Sequence, residues 1–233
     1  MIIEARKKGI VLKDVACLSL PLTLDCGEAF RWEEQTDGSW SGVAYGKYLN
    51  IKEENGIFIL KDTSLADFQA VWRRYFDLDR DYAAICEKLK EDELVRETID
   101  EYYGIRILNQ EPWEALVSFV ISQQNNIKRI KGIIKRLCDT YGREIRPGWH
   151  AFPGSETLSA LSAEALAGMG LGYRAKYVKK LADDVESGKI DLAKIKAMDL
   201  DDAKKALLSI YGVGEKVANC ALLFGFQFIR CFP

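Results

Sequence analysis

The sequence contains one histidine and no pair of cysteines spaced to share a metal ion. His150 weakens any Ser-His-Asp triad or multi-histidine metal site, and we expect it to lie in a loop or at the surface. No C-x-x-C pair occurs, so a zinc ribbon or an iron–sulfur cluster has no ligand spacing to start from. Without any sign of secretion, we expect free thiols at all six cysteines. These are Cys17, Cys26, Cys86, Cys138, Cys220 and Cys231.

Long apolar runs and a signal peptide are also missing. Uninterrupted apolar stretches such as Ala221–Phe224 are far too short to cross a bilayer, and the N-terminus carries Glu4 without an apolar core. The 233 residues include 33 basic and 35 acidic side chains, for a net charge of −2, and 48% are hydrophobic. We therefore expect a globular, cytoplasmic protein of one large or two small domains, with no membrane partner.

The pattern of apolar residues divides the chain into a β-rich part and a helical part. Short β-rich runs separated by turn formers predict an antiparallel sheet in the first part. These runs are Ile10–Leu12, Leu22–Leu24, Trp40–Ala44, Tyr48–Ile51 and Gly56–Leu60. Helical spacing begins near residue 78, with later helices near 156–168, 174–187, 200–210 and 215–225. The predicted fold class is α+β, with a small antiparallel β-sheet domain at 1–77 and a helical domain at 78–233.

Basic residues are concentrated in two segments of the helical part. Residues 123–146 contain seven basic and two acidic side chains, and residues 173–180 add four basic side chains without an acid. Solvated helix faces account for most charge runs of this kind, and on charge alone we favour that interpretation. The alternative is a pair of basic patches that flank a nucleic-acid groove.

The segment L-L-S-I-Y-G-V-G-E-K-V-A-N-C, from Leu207 to Cys220, places a glycine turn between two apolar helices. Gly212 and Gly214 have no Cβ, so the N–H groups of the turn can approach an anion closely. The start of the second helix also favours a phosphate there. This arrangement is typical of a helix-hairpin-helix, which binds the DNA backbone without reading bases.

Lys216 falls in the first turn of the second helix of this segment. The positive end of a helix disfavours an ammonium ion, and an uncharged amine is a competent nucleophile toward a sugar C1′. Cys220 lies four residues later and therefore shares a helix face with Lys216. The alternatives are a lysine that binds phosphate or is merely solvated and a cysteine that only packs in the core, and local chemistry leaves them open.

A second polar segment of four consecutive amides, Gln123 to Asn126, follows an apolar helix and precedes a basic one. Amides at such a tip can fill the space left by an extruded base and bond to its orphaned partner. Taken alone, the segment is more simply explained as a polar turn between two helices.

Five motifs in one order closely resemble the 8-oxoguanine DNA glycosylase/AP lyase family of the helix-hairpin-helix superfamily. They are D-C-G-E-A-F-R-W at 25–32, W-S-G-V at 40–43, S-Q-Q-N-N-I-K-R-I at 122–130, L-G-Y-R-A-K-Y at 171–177 and the segment 212–220. The resemblance covers the chain from about residue 10 to its end. It implies a monomeric, bifunctional enzyme of base excision repair that flips 8-oxoguanine out of damaged double-stranded DNA and excises it by lysine Schiff-base chemistry, without a cofactor.

The resemblance assigns a role to each matching residue. Lys216 would displace the damaged base at C1′ and then carry β-elimination of the 3′ phosphate. The carbonyl of Gly27 would accept the N7–H that distinguishes 8-oxoguanine from guanine, and Cys220 would pack on the flipped base. DNA contacts would come from Gln124 in the vacated stack, Asn125 beside it, Tyr173 as a wedge, Arg129 and Arg174 at the estranged cytosine, and Gly212, Gly214 and Val217 at phosphate. The hairpin carbonyls of Leu208, Ile210 and Val213 would hold a structural monovalent cation.

Two departures from the family pattern bear on this reading. Tyr211 replaces the proline usual before G-V-G, which is a mild change. The family continues F-P-V-D after the hairpin, with the aspartate essential to catalysis, whereas this sequence ends at Phe232-Pro233. We therefore expect a chain truncated before the catalytic aspartate, with the C-terminal part of its helical domain missing and its own activity in doubt. The alternative function is a catalytically silent DNA-binding helix-hairpin-helix module, while Lys216 argues against a monofunctional glycosylase for alkylated purines, which attacks with water.

Overall fold

The computed structural model describes residues 1–232 and contains two compact units, Met1–Asn109 and a second unit that begins at Gln110. The first unit contains a six-stranded sheet in the order β1-β2-β6-β5-β4-β3, in which neighbouring strands are antiparallel. The strands are β1 (Ile2–Arg6), β2 (Gly9–Lys13), β3 (Trp32–Glu34), β4 (Trp40–Ala44), β5 (Lys47–Glu54) and β6 (Ile57–Lys61).

One face of this sheet forms the core of the first unit. Alternate residues of the strands, such as Leu49 and Ile51 of β5, are buried on that face because successive side chains of a strand point to opposite sides. An aromatic group of Trp32, Trp72, Tyr75 and Phe76 completes the core. The helices of this unit are α1 (Leu20–Leu24), α2 (Leu65–Asp67), α3 (Arg73–Tyr75), α4 (Tyr82–Leu89) and α5 (Glu93–Glu101), and a π-helical turn, Phe68–Trp72, joins α2 to α3.

The second unit is helical and is built around α6 (Pro112–Ser122). All nine residues from Trp113 to Ile121 are buried, so this helix has no solvent-facing side along that stretch. The remaining helices are α7 (Ile127–Tyr141), α8 (Ser155–Ser159), α9 (Ala163–Leu166), α10 (Ala175–Glu186), α11 (Leu192–Lys196), α12 (Leu200–Leu208) and α13 (Glu215–Cys220). A π-helical turn, Ala221–Gly225, continues α13, and a small hairpin of β7 (Glu144–Arg146) and β8 (Trp149–His150) follows α7.

The predicted α+β class is confirmed: an antiparallel sheet is followed by a helical body. The last strand of the sheet, β6, ends at Lys61, and the compact units divide after Asn109, whereas the boundary predicted from the sequence lies at residue 77. Helices α4 and α5 therefore belong to the unit that contains the sheet.

The strand predicted at Leu22–Leu24 is wrong, because these residues lie in α1. The Ser19 hydroxyl accepts a hydrogen bond from the Leu22 N–H at 3.5 Å, and Pro21 occupies the first turn, where its fixed φ suits a helix. Local capping thus overrides the strand preference of the leucine and threonine side chains.

Candidate functional site

Two segments of the helical unit form a cleft of ≈ 530 Å³. One wall is the turn between α6 and α7, and the other is the hairpin that joins α12 to α13. The cleft is lined by Ser122, Gln123, Gln124, Asn125, Gly214, Glu215, Lys216, Val217 and Cys220. The structure therefore brings the predicted nucleophile, the predicted base-packing cysteine and the amide segment into one concave surface.

Lys216 occupies the second position of α13 and is exposed to solvent in the cleft. Cys220, one helical turn later, is 3% exposed, so its thiol forms an apolar part of the same wall. Within residues 1–232 no carboxylate forms an ion pair with the Lys216 ammonium. An amine that is accessible and unpaired in a concave surface can act as a nucleophile once it has lost its proton.

The neighbouring carboxylate of Glu215 forms an ion pair with Lys204 rather than with Lys216. The Lys204 Nζ lies 2.7 Å from the Glu215 carboxylate, a contact that connects α12 to α13 across the hairpin. The hydrogen bond to Glu215 raises the pKa of Lys204 above its ordinary value, with burial acting in the opposite direction. The first turn of α13 therefore contains a lysine that pairs with no carboxylate of residues 1–232 and a carboxylate that is paired with Lys204.

The two hairpin glycines differ in how strongly the fold requires them. Gly212 has φ +84°, and a Cβ at this position would lie 2.4 Å from the ring of Tyr177. Gly214 has φ −100°, which any residue adopts, and nothing lies within 4 Å of where its Cβ would be. The conformation and packing of Gly212 exclude a side chain, whereas Gly214 keeps the space beside the cleft open.

Three of the four amide side chains of the α6–α7 turn form hydrogen bonds with backbone groups, and the fourth does not. The Asn125 side chain donates to the Ile121 carbonyl at 3.1 Å, and the Asn126 side chain accepts from the Arg129 N–H at 2.9 Å. Gln123 donates to two backbone carbonyls. The exposed Gln124, by contrast, bonds to no backbone group through its side chain, which accepts from the Tyr173 hydroxyl at a long 3.5 Å, and its φ is +46°. Gln124 is therefore the amide best placed to extend toward a ligand.

Tyr173 and Arg174 both contact the α6–α7 turn. Arg174 is only 4% exposed and donates from Nε to the Gln123 carbonyl at 2.8 Å and from Nη2 to the Gln124 carbonyl at 3.0 Å. In this structure the guanidinium therefore holds backbone rather than projecting into solvent. Tyr173 is 45% exposed and packs edge-to-face on Tyr177, with ring centroids 5.9 Å apart. Arg129 is exposed in the first turn of α7.

Gly27 lies in the sheet-containing unit, in the loop after α1. Its φ of +89° strongly favours glycine, so the backbone conformation is by itself a reason for this residue. The neighbouring Cys26 is exposed and donates a thiol hydrogen bond to the Thr23 carbonyl at 3.4 Å. The role that the resemblance gives to the Gly27 carbonyl stays a prediction.

Three features of the site cannot be read from the sequence. Gln123 has the same side-chain chemistry as its amide neighbours, so nothing in the sequence separates it from Gln124. Tyr177 belongs to a motif, but its packing against Gly212 depends on the fold. The Lys204–Glu215 pair joins two helices, and a sequence separation of eleven residues gives no signal for it.

The described part of the chain offers neither a metal cluster nor a membrane span. Across residues 1–232 no cluster of three or more histidine, cysteine, aspartate or glutamate side chains could hold a metal ion. No helix in that range combines the length and apolar character needed to cross a membrane.

Two family models cover most of the chain. Residues 10–116 match the 8-oxoguanine DNA glycosylase N-terminal domain, and residues 117–219 match the HhH-GPD superfamily of base excision DNA repair proteins. The chain is 32% identical over 250 residues to the N-glycosylase/DNA lyase of Saccharomyces cerevisiae, and the match covers 93% of this chain and 65% of the yeast protein. The chain thus spans about two thirds of that relative's length.

Solved structures agree with these matches. The Clostridium acetobutylicum 8-oxoguanine glycosylase/lyase, in complex with double-stranded DNA containing cytosine opposite 8-oxoguanine, is 33% identical, with a TM-score of 0.97 over 100% of this chain and 81% of that one. MBOgg1, in complex with a low-affinity DNA ligand, is 39% identical, with a TM-score of 0.93 over 97% of this chain and 80% of that one. The chain therefore belongs to the 8-oxoguanine DNA glycosylase family of the helix-hairpin-helix superfamily.

Proposed function

We propose that this chain is a bifunctional DNA glycosylase/AP lyase that excises 8-oxoguanine from duplex DNA in base excision repair. The observation that carries the proposal is the exposed, unpaired Lys216 in one cleft with the buried thiol of Cys220 and the amide segment. A helix-hairpin-helix that only binds DNA can use a lysine to bind phosphate, but it requires neither the Cys220 thiol nor Gly27. The names of the similar proteins, which include glycosylase/lyases, support the same activity.

In the proposed reaction, the amine of Lys216 attacks C1′ of the extruded nucleotide. A C1′–Nζ bond forms as the bond from C1′ to the base nitrogen breaks, and the base leaves with a proton. The sugar ring then opens to an imine, and loss of a C2′ proton expels the 3′ phosphate by β-elimination. Because the amine becomes part of the intermediate, a lysine at this position supports lyase as well as glycosylase chemistry.

Selection of the damaged base is proposed to depend on one polar contact and one packing contact. The Gly27 carbonyl accepts the N7–H of 8-oxoguanine, a proton that guanine lacks, and Cys220 packs against the base. A guanine in the same place would leave the carbonyl facing an acceptor in a dry pocket. A polar mismatch of this kind costs about 1–3 kcal/mol and so discriminates against the normal base.

The remaining predicted residues are proposed to hold the duplex around the extruded base. Gln124 enters the space left by the base, Tyr173 wedges beside it, and Arg129 contacts the estranged cytosine. Arg174 positions Gln124 by hydrogen bonds to the carbonyls of Gln123 and Gln124. Its guanidinium can contact the cytosine only if these bonds break. The hairpin binds phosphate through Gly212, Gly214 and Val217. We further propose a monomer that acts on the DNA inside the cell.

The hairpin carbonyls of Leu208, Ile210 and Val213 are proposed to hold a monovalent cation. The Ile210 carbonyl accepts the Val213 N–H at 3.0 Å, which leaves its second lone pair available. When bound, a cation at this turn would add positive charge beside the DNA phosphate.

Borohydride trapping tests the proposed function directly. The 233-residue chain is incubated with a duplex that carries one 8-oxoguanine opposite cytosine, or one abasic site, and Lys216→Gln serves as the control. A covalent adduct on both duplexes that the substitution abolishes would support both base excision and lyase chemistry by Lys216 in this chain. An adduct on the abasic duplex alone would show lyase chemistry without base excision. Absence of both adducts, with duplex binding retained, would instead identify a catalytically silent DNA-binding module.

A further inference from the structure

We infer that Gln123 is a positioning residue that couples the hairpin of the nucleophile to the α6–α7 turn. The inference rests on the proposed function and extends it to a side chain that the proposed reaction does not use. Gln123 belongs to the wall formed by the α6–α7 turn, and its side-chain amide donates both to the end of α6 and to the hairpin that forms the other wall.

The side chain of Gln123 connects helix α6 to the hairpin. Its Nε2 donates to the Val120 carbonyl at 3.2 Å and to the Gly212 carbonyl at 2.9 Å. Val120 belongs to the last turn of α6, where carbonyls lack helical partners and need other donors. Gly212 lies at the turn that leads into α13, four residues before Lys216. One amide group therefore fixes the distance between the end of the buried helix and the start of the helix that carries the nucleophile.

The main chain of Gln123 connects the same point to a third segment. Its carbonyl accepts hydrogen bonds from the Arg174 guanidinium, including one from Nε at 2.8 Å, and from the Tyr173 hydroxyl at 3.4 Å. Arg174 is buried, so these bonds form in an environment where loss of a partner is costly. Hydrogen bonds of Gln123 thus connect the hairpin, the α6–α7 turn and the segment that contains Tyr173 and Arg174.

This geometry predicts that Gln123 affects the orientation of the Lys216 amine more than the affinity for duplex DNA. Duplex binding depends mainly on backbone contacts distributed over the hairpin and basic residues, most of which Gln123 does not touch. Nucleophilic attack instead depends on the position of the Lys216 amine, and a displacement of about 1 Å can cost about 100-fold in rate. Loss of the Gln123 side-chain bonds should therefore slow the chemical step more than it weakens binding.

The experiment compares Gln123→Glu and Gln123→Ala with the unsubstituted chain. Glutamate keeps the shape of glutamine but has no N–H to donate, while alanine removes the group altogether. Ser209→Ala is the matched control, because the Ser209 hydroxyl donates to the Ala206 carbonyl at 2.7 Å within the end of α12 and crosses to no other segment. Each protein is assayed for single-turnover adduct formation on an abasic duplex, for Kd on an undamaged duplex, and for amide hydrogen exchange.

We expect both Gln123 variants to trap about 10–100-fold more slowly, with Kd changed by less than about threefold and the control unchanged in both. Hydrogen exchange in residues 209–214 should accelerate in the Gln123 variants alone. Equal rates and equal exchange in all four proteins would overturn the inference, as would a loss of Kd that matches the loss of rate. If the unsubstituted chain forms no adduct, the proposed function fails, and the exchange measurement still decides whether Gln123 holds the hairpin.

Discussion

At the scale of single residues, the two hairpin glycines separate a structural requirement from a binding requirement. Gly212 combines a positive φ with a Tyr177 ring that would lie only 2.4 Å from an added Cβ, while Gly214 has an ordinary φ and open surroundings. The sequence pattern makes the two glycines equivalent, since both remove a Cβ from the turn. The structure indicates that only one of them is needed for the fold.

We predict that Gly212→Ala destabilises the chain much more than Gly214→Ala does. The first substitution forces an L side chain into left-handed backbone and displaces Tyr177, which together should lower the free energy of unfolding by about 2–4 kcal/mol. The second replaces the N-cap glycine of α13 with a less favoured residue and should cost no more than about 1 kcal/mol, and yet it should weaken duplex binding about tenfold, because the methyl group enters the space where a phosphate would lie. Urea unfolding and duplex titration of both variants measure these effects. Equal stability losses would contradict the assignment.

A second residue-scale prediction concerns the pH dependence of stability in the sheet-containing unit. The Tyr82 hydroxyl donates to the Asp77 carboxylate at 2.9 Å and accepts from the Ile107 N–H at 3.1 Å. Burial raises the pKa of Tyr82 to about 12, well above the ordinary value of a phenol. A raised pKa in the folded state means that the stabilisation is complete below pH about 10, where the unfolded phenol titrates, and is lost as the pH rises toward 12.

The unfolding free energy should therefore fall by up to about 2–3 kcal/mol between pH 10 and 12, in excess of the slope from other groups. Tyr82→Phe should remove this excess, because phenylalanine has no proton to lose. At neutral pH the same variant should be about 1–2 kcal/mol less stable, since Asp77 and Ile107 lose a partner. Denaturant unfolding of both proteins across this pH range provides the comparison. If their unfolding free energies fall in parallel with pH, the ionisation of Tyr82 does not cause the loss of stability.

At the scale of elements, the amide segment shows how a helix boundary can resemble a binding motif. Asn126 lies beside Gln124 and Asn125, but its side chain caps α7 by accepting the Arg129 N–H at 2.9 Å. The Asn125 side chain closes the end of α6. Two of the four amides are thus explained by the ends of two helices, with no ligand required.

Asn126→Ala should therefore lower the unfolding free energy by about 1 kcal/mol, as expected for a lost N-cap. Asn126→Ser should restore stability, because serine is also a good cap although it has no amide donor. Both variants should keep the lesion specificity of the unsubstituted chain. Thermal unfolding together with duplex binding tests this, and weaker binding by a stably folded Asn126→Ser variant would show that the amide itself contacts DNA.

The helices and strands also show which features of the fold the sequence patterns predict and which they do not. The runs Trp40–Ala44 and Gly56–Leu60 predict strands that the structure contains, because alternation and turn residues agree there. The strand prediction at Leu22–Leu24 is wrong because a serine cap and a proline decide its conformation, and β3 is missed because three residues give too short a pattern. Motif resemblance locates the cleft residues, but the Gln123 bonds depend on where α6 ends relative to the hairpin, which periodicity cannot specify.

At the scale of the whole molecule, the small net charge conceals an uneven distribution. Residues 1–109 carry 15 basic and 21 acidic side chains, whereas residues 110–233 carry 18 basic and 14 acidic ones. The helical unit is therefore net positive by four and the other unit net negative by six. Duplex binding should be strongly salt-dependent despite the overall charge of −2, because counterion release depends on local phosphate contacts.

The structure further predicts which lysines of α7 contribute to that dependence. Lys128 is exposed and pairs with no carboxylate within residues 1–232, whereas Lys135 lies 2.8 Å from Asp139. Lys128→Ala should reduce the slope of log Kd against log salt by about one and weaken lesion and undamaged duplexes alike. Lys135→Ala should change the slope less, because Asp139 already neutralises that lysine. Titrations at several salt concentrations distinguish the two variants. If both variants keep the slope of the unsubstituted chain, the basic residues of α7 form only a solvated surface.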